Sequence, residues 1–516
     1  MRKALFSLFG SALAFSLLTS CNSNAIGGGG LKNPPENVPV SLTITDDPPV
    51  GVSVLFFQVS LTAASLQPAS GTAVSLINNP IPIDVTQLQA LSAFLNTANV
   101  PTGTYNSLSL TFANPQLVIY NASDTAIAAT CAVGTVCQLT PTLDNSATVS
   151  ITSAPFPVTV AANSPFGFLI DFHLNTIIQS DLSVNLSAAN GMTVGQLPPW
   201  SPMQPPHFGM LWGTVESASA GNNQFTVLTG DGRSFTVDSN SSTTYADFPC
   251  AGPVQTIACV ADGQSVQVQV ASVQGDGSLL AAQVTYVQAS GQQTVVGTIV
   301  AIPPYPTPVG ETIIQLILHR GPNSNSGLPL GGIAQVAVWE PGSGSSVVTA
   351  FSIDSNGFTI PPGLTFATNT DLGIGQTVQV TVAPGTLQQS SGPGGNQGGG
   401  GWGPPAQVSF TASAIALEPS QITGSVASIG TGSFTLGIFP NTFGPISPTF
   451  QAQAVVQTST QTVYQGFTPD DFSALAVGDV VSVNGWLFPQ NGALDPAIGP
   501  PIVVAQTVAM HSDGTF

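Results

Sequence analysis

Charged side chains are the scarcest class in this sequence, making up 6% of its 516 residues. Lysine and arginine together number five, against 24 aspartates and glutamates, so the formal net charge is −19. Proteins bind phosphate groups with clustered cations, and this composition offers too few to form such a cluster. The sequence therefore predicts that nucleic acid is not a partner and that anionic headgroups are poor ones.

The motifs of common enzyme classes are missing as well. No G-x-S-x-G elbow is present, and the histidines His173, His207, His319 and His511 are scattered along the chain. Lys32 is the single lysine beyond residue 3, which excludes a Walker loop and Schiff-base chemistry. The acidic residues are spread almost singly, so no glycosidase pair is identified. We expect no enzymatic activity, no catalytic residue and no cofactor.

The chain is rich in residues that form strands and turns. It contains 54 glycines and 43 prolines, and 42% of its residues are hydrophobic. Thr, Val, Ser and Gln are frequent while Lys and Glu are rare, which favours strands over helices. This composition predicts a mainly β protein with several domains.

The first 21 residues have the pattern of an export signal. Arg2 and Lys3 form a basic region, residues 4–18 form an apolar one, and small residues precede Cys21. The motif Leu18-Thr19-Ser20-Cys21 resembles the lipobox of bacterial lipoproteins, which implies cleavage before Cys21 and diacylation of its thiol. The alternative is an ordinary signal peptide in which Cys21 has another role.

A lipoprotein signal sets the location that we expect. Residues 1–20 are then the signal peptide, and residues 21–37, rich in Gly, Pro and Asn, are a flexible tether. No later apolar run reaches the ~18 residues that a spanning helix needs, so lipid is the predicted membrane anchor. Asn22 stands where an Asp retains some lipoproteins at the inner membrane, and we therefore expect the outer membrane of a bacterial cell envelope.

The four cysteines after Cys21 fall into two local pairs, Cys131 with Cys137 and Cys250 with Cys259. In an exported protein, such pairs favour disulfides. A metal site is the alternative, but neither pair has C-x-x-C spacing or a histidine nearby in the sequence. We expect two disulfides and no metal.

Residues 38–195 alternate apolar and polar side chains as strands do, for example in FGFLIDFHL from Phe166. Within this region, TQLQALSAFLN places leucines at helical spacing and predicts a short helix over residues 86–96. These patterns therefore predict an antiparallel β-sandwich with one helical crossover. Residues 196–210 contain many prolines and predict a linker.

Three repeats follow, at residues 211–289, 294–418 and 421–511. Each begins with a glycine before a β run, at Gly213, Gly297 and Gly424. A threonine-and-aromatic element comes next, around Tyr245, Phe366 and Tyr464, followed by a glycine-led strand and an Ala/Val strand. Short, strongly curved strands in this number predict small OB-like β-barrels.

Glycine also marks the connections within the repeats. The second repeat carries a Gly-rich insertion at residues 386–405, for which we expect a disordered hairpin loop. The pairs Asp231-Gly232, Asp276-Gly277 and Asn491-Gly492 predict type I′ hairpin turns.

Two regions resemble uncharacterised bacterial families. The segments TDDPPVGVSVLFFQVSLTAASLQP from Thr45 and PIDVTQLQALSAFLNTANVPTGTYNSLSLTF from Pro82 are similar to domain of unknown function 4382, with Asp47 where alanine is more usual. The three repeats resemble domain of unknown function 5666, whose signature begins with GTV and SFTV steps. The resemblance implies a bacterial envelope lipoprotein with a sandwich followed by OB-like barrels, and it supplies no known activity.

A few polar residues are candidates for chemistry. Asp171 and His173 lie two apart in a strand, so they project from one face and could share a proton or a metal; a solvent-facing sheet edge is the simpler interpretation. Asp46-Asp47 and Asp470-Asp471 could offer carboxylates to Ca²⁺. Such pairs more often end a strand by capping a turn.

The five tryptophans divide into two groups. Trp200 and Trp402 lie in Pro-rich or Gly-rich loops, where exposure makes them candidate ligand contacts. Trp212, Trp339 and Trp486 lie in apparent strands and are expected in the core.

These observations favour a non-enzymatic, lipid-anchored envelope protein whose β domains bind or space other surface components, including envelope proteins. An array of carbohydrate-binding modules that contacts neutral glycans is the second hypothesis. A calcium-stabilised adhesin is the third.

Overall fold

The computed structural model describes residues 36–510 apart from a set of gaps, and the predicted signal and all but the end of the predicted tether lie outside the described part. The gaps are 48–53, 89–91, 121–125, 127–130, 133–135, 144–146, 163–165, 180, 198–208, 251–253, 289–292, 304–307, 321–327, 329, 356, 391–406, 439–452 and 490–499. The prediction of a mainly β protein is confirmed. Among the described residues, no helix combines the length and the apolar character that crossing a bilayer requires.

The first module, called the sandwich domain, covers residues 37–196. Its strands are β1 (Asn37–Asp47), β2 (Val54–Pro68), β3 (Val74–Ser75), β4 (Ile81–Asp84), β5 (Ala93–Pro101), β6 (Gly103–Tyr120), β7 (Val136–Leu139), β8 (Thr148–Ile151), β9 (Val158–Val160), β10 (Phe166–His173) and β11 (Met192–Gln196). A 3₁₀ helix spans Val85–Leu88 and a short α-helix, α1, spans Leu174–Ile177.

Two sheets form the sandwich. One has the strand order β11-β10-β1-β5, and the other is built around β2 and β6, which pair with each other. Alternate side chains of the two sheets meet in one apolar core, where the rings of Phe112 on β6 and Phe172 on β10 lie 5.6 Å apart, edge to face. Among the named strands of these two sheets, the pairing is antiparallel except that β1 and β10 run parallel, with Val40 opposite Phe166. A parallel pair needs a long crossover, and the strands of the second sheet provide it.

The predicted helix over residues 86–96 is wrong. After the 3₁₀ helix Val85–Leu88, the chain forms strand β5 from Ala93. Phe94 and Leu95 explain the error, because both are buried but belong to different cores. Leu95 packs into the sandwich and Phe94 into the neighbouring barrel. A strand with two buried faces loses the alternation that distinguishes it from a helix.

Three barrels follow the sandwich domain. Barrel 1 (210–288) contains β12 (Met210–Ser219), β13 (Gln224–Leu228), β14 (Ser234–Asp238), β15 (Thr244–Ala246), β16 (Ser265–Val273) and β17 (Leu279–Gln288). Barrel 2 (294–418) contains β18 (Thr294–Ala301), β19 (Glu311–Arg320), β20 (Ile333–Trp339), β21 (Ala350–Ile353), β22 (Thr377–Val382), β23 (Gln388–Ser390) and β24 (Gln407–Glu418). Barrel 3 (420–510) contains β25 (Ser420–Gly430), β26 (Ser433–Ile438), β27 (Gln453–Gln457), β28 (Val463–Gln465), β29 (Val480–Phe488) and β30 (Ile502–Met510). Short 3₁₀ helices span Ala220–Asn222, Ile257–Cys259, Asn369–Asp371 and Phe472–Ala474.

All three barrels have the same strand pairing. In barrel 1 the ring runs β12-β13-β14-β17-β16 and closes back on β12, with β14 and β17 parallel. The ring of barrel 2 runs β18-β19-β20-β24-β22, and that of barrel 3 runs β25-β26-β27-β30-β29. Each ring is a closed five-stranded barrel of the OB type. The OB-like repeats are thus present three times, including the long middle copy.

The glycine that opens each repeat is required by the barrel geometry. Gly213, Gly297 and Gly424 lie where the first strand bends across the second. A Cβ atom there would lie 2.3, 2.5 and 2.4 Å from the carbonyl oxygens of Leu228, Ile317 and Gly437, respectively. No real side chain tolerates such a contact without a shift of the backbone.

The alignment of the threonine-and-aromatic element needs a correction. In the structure, Tyr245, Phe351 and Tyr464 are equivalent, because each lies on a short strand that runs parallel to the last strand of its barrel. The threonine two residues earlier donates its hydroxyl to a carbonyl of that last strand over 2.7–2.8 Å in all three barrels. The prediction of Phe366 for this position in barrel 2 is therefore wrong.

The described hairpin turns also differ in type from the prediction. Gly232 has a φ of +84° and its N–H donates to the Thr229 carbonyl over 2.9 Å, while the Thr229 N–H donates to the Arg233 carbonyl over 2.8 Å. Asp231 lacks the positive φ that a type I′ turn requires. The loop is a type I turn followed by a glycine bulge, and Gly277 repeats this arrangement. Asn491-Gly492 and most of the insertion 386–405 lie outside the described residues.

Candidate functional sites between the modules

The sandwich domain and barrel 1 share a sheet. Strand β5 pairs with β12 in parallel at Ala93 and Met210, and the Met210 N–H donates to the Ser92 carbonyl over 2.8 Å. Gly209 makes this approach possible, because a Cβ atom there would lie 2.6 Å from the Ser92 carbonyl oxygen. The end of the predicted linker is therefore part of the sheet.

Apolar side chains join barrel 2 to both of its other neighbours. Phe56 and Val118 of the sandwich domain form one buried cluster with Val300 and Ile317 of barrel 2. Trp486 of barrel 3 is fully buried in the core of barrel 2, and its indole N–H donates to the Asp354 carbonyl over 2.8 Å. Interfaces of this kind resemble a domain core more than a transient contact.

A cavity of about 380 Å³ lies where the sandwich domain meets barrels 1 and 2. Most of its walls are apolar side chains, among them Leu88, Leu211 and Val266. Several polar residues interrupt these walls, and four of them form two pairs, Asp84 with His319 and Asp231 with Arg233. We call this space the junction cavity.

A chain of hydrogen bonds joins the sandwich domain to barrel 2 at the wall of the junction cavity. His319 is 1% exposed, and its Nδ1 lies 2.9 Å from the Asp84 Oδ2 atom, 235 residues earlier in the chain. Its Nε2 lies 2.9 Å from the Thr298 hydroxyl, and Asp84 also accepts from the Thr86 hydroxyl over 2.6 Å. The order carboxylate, imidazole, hydroxyl is that of nucleophilic triads. Here it is enclosed between two modules, and its evident role is to join them.

The second paired set in the walls of the junction cavity is a half-buried ion pair. The Arg233 Nε donates to Asp231 over 2.7 Å, and its guanidinium lies 5.5 Å from the centre of the Phe235 ring. Phe235 in turn packs edge to face against Phe94 of the sandwich domain. One of the chain's five basic residues is thus used at a boundary between modules.

Two carboxyl groups meet between barrels 1 and 2. Burial raises the pKa of Asp247, and a hydrogen bond with Asp354 opposes this shift. Asp247 has a φ of 62°, a left-handed conformation that Asp and Asn tolerate better than other side chains.

A second cleft, of about 280 Å³, lies between barrels 1 and 3, with residues of the sandwich domain and barrel 2 also in its walls. Its lining includes seven glutamines and Asn484, so we call it the amide cleft. Gln269 and Gln283 form a cross-strand pair on barrel 1, and Asn484 and Thr507 form one on barrel 3. Sequence reasoning missed this cleft because its residues come from four modules.

Asp171 and His173 lie on strand β10 in different surroundings. Asp171 is 5% exposed and pairs with Thr45 and Thr193 in the sheet, so the interpretation as a solvent-facing edge is wrong for it. His173 is half-buried, with Nε2 3.5 Å from the Thr193 hydroxyl. No group of three His, Cys, Asp or Glu side chains suited to a metal occurs among the described residues.

In the second acidic pair, Asp470-Asp471, the side chain of Asp471 caps a short helix. The Asp471 Oδ1 atom accepts from the Ser473 N–H over 2.7 Å and from its hydroxyl over 2.5 Å, at the start of the 3₁₀ helix Phe472–Ala474. These hydrogen bonds lower the pKa of Asp471. Asp46 and Asp47 end strand β1, and their side chains lie outside the described part of the structure.

Both disulfides are present, between Cys131 and Cys137 and between Cys250 and Cys259. Cys21, Trp200 and Trp402 lie outside the described residues. Of the tryptophans expected in the core, Trp486 is fully buried. Trp212 and Trp339 are half-buried, and Trp212 lines both the junction cavity and the amide cleft.

Comparison with protein families agrees with this architecture. Residues 37–189 match the family described as Domain of unknown function (DUF4382), and residues 213–285 and 423–494 match Domain of unknown function (DUF5666). The chain contains a DUF4382 domain followed by DUF5666 repeats. The DUF5666 matches fall on barrels 1 and 3, and barrel 2 shares their strand pairing. No curated protein matches the chain.

Proposed function

We propose that this protein is a non-enzymatic, lipid-anchored component of a bacterial cell envelope, in which the DUF4382 domain and the barrels space and hold other surface components. The observation that carries the proposal is the way the modules are joined. They are packed together through buried apolar clusters and inter-module hydrogen bonds. A joined set of modules holds a fixed distance, which is what a spacer must do.

The polar contacts between modules support the same interpretation. The Gln376 amide donates to the Leu487 carbonyl over 3.0 Å between barrels 2 and 3. Gln138 of the sandwich domain donates to the Gly331 carbonyl of barrel 2 over 2.7 Å. These neutral hydrogen bonds are insensitive to salt, unlike surface ion pairs. The described residues between 36 and 510 belong to one compact unit.

The membrane part of the proposal depends on Cys21. The lipobox-like sequence before it favours diacylation, and two or three acyl chains anchor a protein stably without a spanning helix. The acidic composition, with five basic residues against 24 acidic ones, opposes direct adsorption to anionic lipid. The outer membrane is the proposed site.

Metabolic labelling with a fatty acid tests the anchor. We expect globomycin-sensitive label on the wild type and on Cys250→Ser, which serves as the matched cysteine control, and none on Cys21→Ser. Protease treatment of whole cells then reports whether the modules face outward. Label retained by Cys21→Ser would contradict the proposal.

The non-enzymatic part has its own test. The purified chain should leave a panel of esters, glycosides and peptides unchanged. Hydrolysis that disappears in His319→Ala or in Asp171→Ala, while the variants remain folded, would show that the protein is an enzyme.

A further inference from the structure

We infer that the amide cleft is a binding site for a neutral oligosaccharide. This inference goes beyond the spacing role and does not depend on the lipid anchor. It rests on the hydrogen-bonding side chains of the cleft, on their charge and on the pairing of the strands that form its walls.

The lining chemistry matches hydroxyl groups. A glutamine amide carries two donors and an acceptor, and a sugar hydroxyl is likewise both donor and acceptor. Gln267, Gln269 and Gln283 of barrel 1 are half-buried in one wall, and Gln506 of barrel 3 is half-buried in the other. Their backbones are already fixed in strands, so little backbone conformational entropy is lost when a ligand binds.

The cleft is close to electrically neutral although the chain has a net charge of −19. Glu418 is the single charged side chain among the lining residues. No cation lines the cleft, so it offers nothing to a phosphate or sulfate group. A neutral ligand therefore fits better than an anionic one.

One accessible aromatic side chain completes the lining. Trp212 is half-buried and borders the cleft on the barrel 1 side, whereas Phe358 of barrel 2 borders it but is buried against Trp486. Aromatic rings next to hydrogen-bonding groups suit a ligand with apolar C–H faces and polar edges. Sugar rings have this character.

A peptide fits less well. Peptides that add a strand need a free sheet edge. The walls are formed by β16 and β17 and by β29 and β30, and each of these strands is paired on both sides within its closed ring. Proline-rich peptides dock in grooves lined mainly by aromatic residues, whereas amides predominate here.

The two walls use equivalent positions of related repeats. Gln269 lies six residues after Gly263, and Asn484 lies six after Gly478. Both glycines have positive φ, at +81° and +99°, and both N–H groups donate back to the first strand over 2.8–2.9 Å. At the corresponding place in barrel 2, Thr381 lies opposite Ala414. The cleft volume is near the lower end of the usual range of about 300–1,000 Å³, so it holds a short stretch of a glycan.

Calorimetric titration of the purified full chain tests the inference. The probes are neutral hexasaccharides of glucose, mannose and N-acetylglucosamine, with hexagalacturonate as the anionic comparison. We expect at least one neutral probe to bind, with an affinity unchanged between about 50 mM and about 500 mM salt because no ion pair forms. Gln269→Ala/Gln283→Ala should weaken that binding about tenfold, since two hydrogen-bonding groups are lost.

The matched control is Gln315→Ala/Gln335→Ala. These residues also form a half-buried cross-strand glutamine pair, but on barrel 2 and outside the cleft. The control should keep its affinity within about twofold. Gln506→Ala, on the opposite wall, is the second cleft variant in case the first does not fold.

Three results would overturn the inference. They are no binding of any neutral probe, equal loss in the control and cleft variants, or tighter, salt-dependent binding of hexagalacturonate. None of these changes the expected labelling of Cys21, so the two proposals fail separately.

Discussion

At the scale of single residues, the informative side chains are polar ones placed between modules. Asp84 and His319 meet over 2.9 Å although 235 residues separate them. Neither residue has a local pattern that announces its partner, so the contact could not be predicted from one sequence. Asp471, by contrast, was interpreted correctly as a turn cap, because capping depends on residues two or three positions away.

Asp247→Asn should stabilise the protein near neutral pH. The folded pKa of Asp247 is raised by burial, so the native state holds more protons than the unfolded state between the unfolded pKa and the folded one. Stability therefore falls as pH rises through that window. The gain at about pH 7 should be less than about 1 kcal/mol, since the side chain is partly in solvent, and should vanish below the unfolded pKa. Thermal melts at several pH values measure it.

Asp276→Asn provides a comparison of opposite sign. Hydrogen bonds from the Ser278 N–H and hydroxyl lower the pKa of Asp276. Its contribution is present above the unfolded pKa and is lost as pH falls through the folded pKa. This variant should melt lower than the wild type near neutral pH. A gain for both variants would contradict the assignment.

At the scale of elements, strand alternation was a reliable guide where a strand has one buried face. It failed at β5, where Phe94 and Leu95 are buried on opposite sides by two different modules. The repeats were recognisable because their glycines are required by geometry. Their aromatic element was misaligned in barrel 2, where the threonine and Phe351 lie well before Phe366. Insertions change sequence spacing without changing strand pairing.

Gly213→Ala should destabilise barrel 1 by about 1–3 kcal/mol, the usual cost of overpacking. The added Cβ would lie 2.3 Å from the Leu228 carbonyl oxygen, which belongs to the backbone and cannot rotate away. Gly221→Ala is the matched control, because a Cβ atom there meets nothing within 4 Å. Denaturant unfolding of the two variants should separate them clearly. Equal midpoints would show that the bend at Gly213 adapts to a side chain.

At the scale of the whole molecule, the modules are joined by features that only the structure reveals. The sequence predicted a sandwich and three OB-like barrels, and both kinds of module are present. The sequence predicted that Trp486 lies in a core, but this residue of barrel 3 is buried in the core of barrel 2. An apolar residue in a strand does not tell which module covers it. The amide cleft was unpredictable for the same reason.

A double-mutant cycle on Asp84 and His319 measures how tightly the sandwich domain holds barrel 2. Removing one partner of a buried hydrogen bond leaves the other unsatisfied, at a cost of about 1–3 kcal/mol. His319→Ala and Asp84→Ala should therefore each be strongly destabilising, and the double variant should cost less than their sum. The exposed Ser234–Glu216 pair, 2.7 Å apart within barrel 1, is a control that should show little coupling. Additive effects at Asp84 and His319 would show that the contact does not join the modules.

The position of strand β1 has a mechanical consequence. This first described strand is flanked on both sides, antiparallel to β5 and parallel to β10. A pulling force that enters through the amino terminus must shear two ladders together, instead of peeling one strand from an edge. Resistance to such a load is set by the rate of unfolding rather than by equilibrium stability. A surface protein tethered at this end would keep its fold under drag.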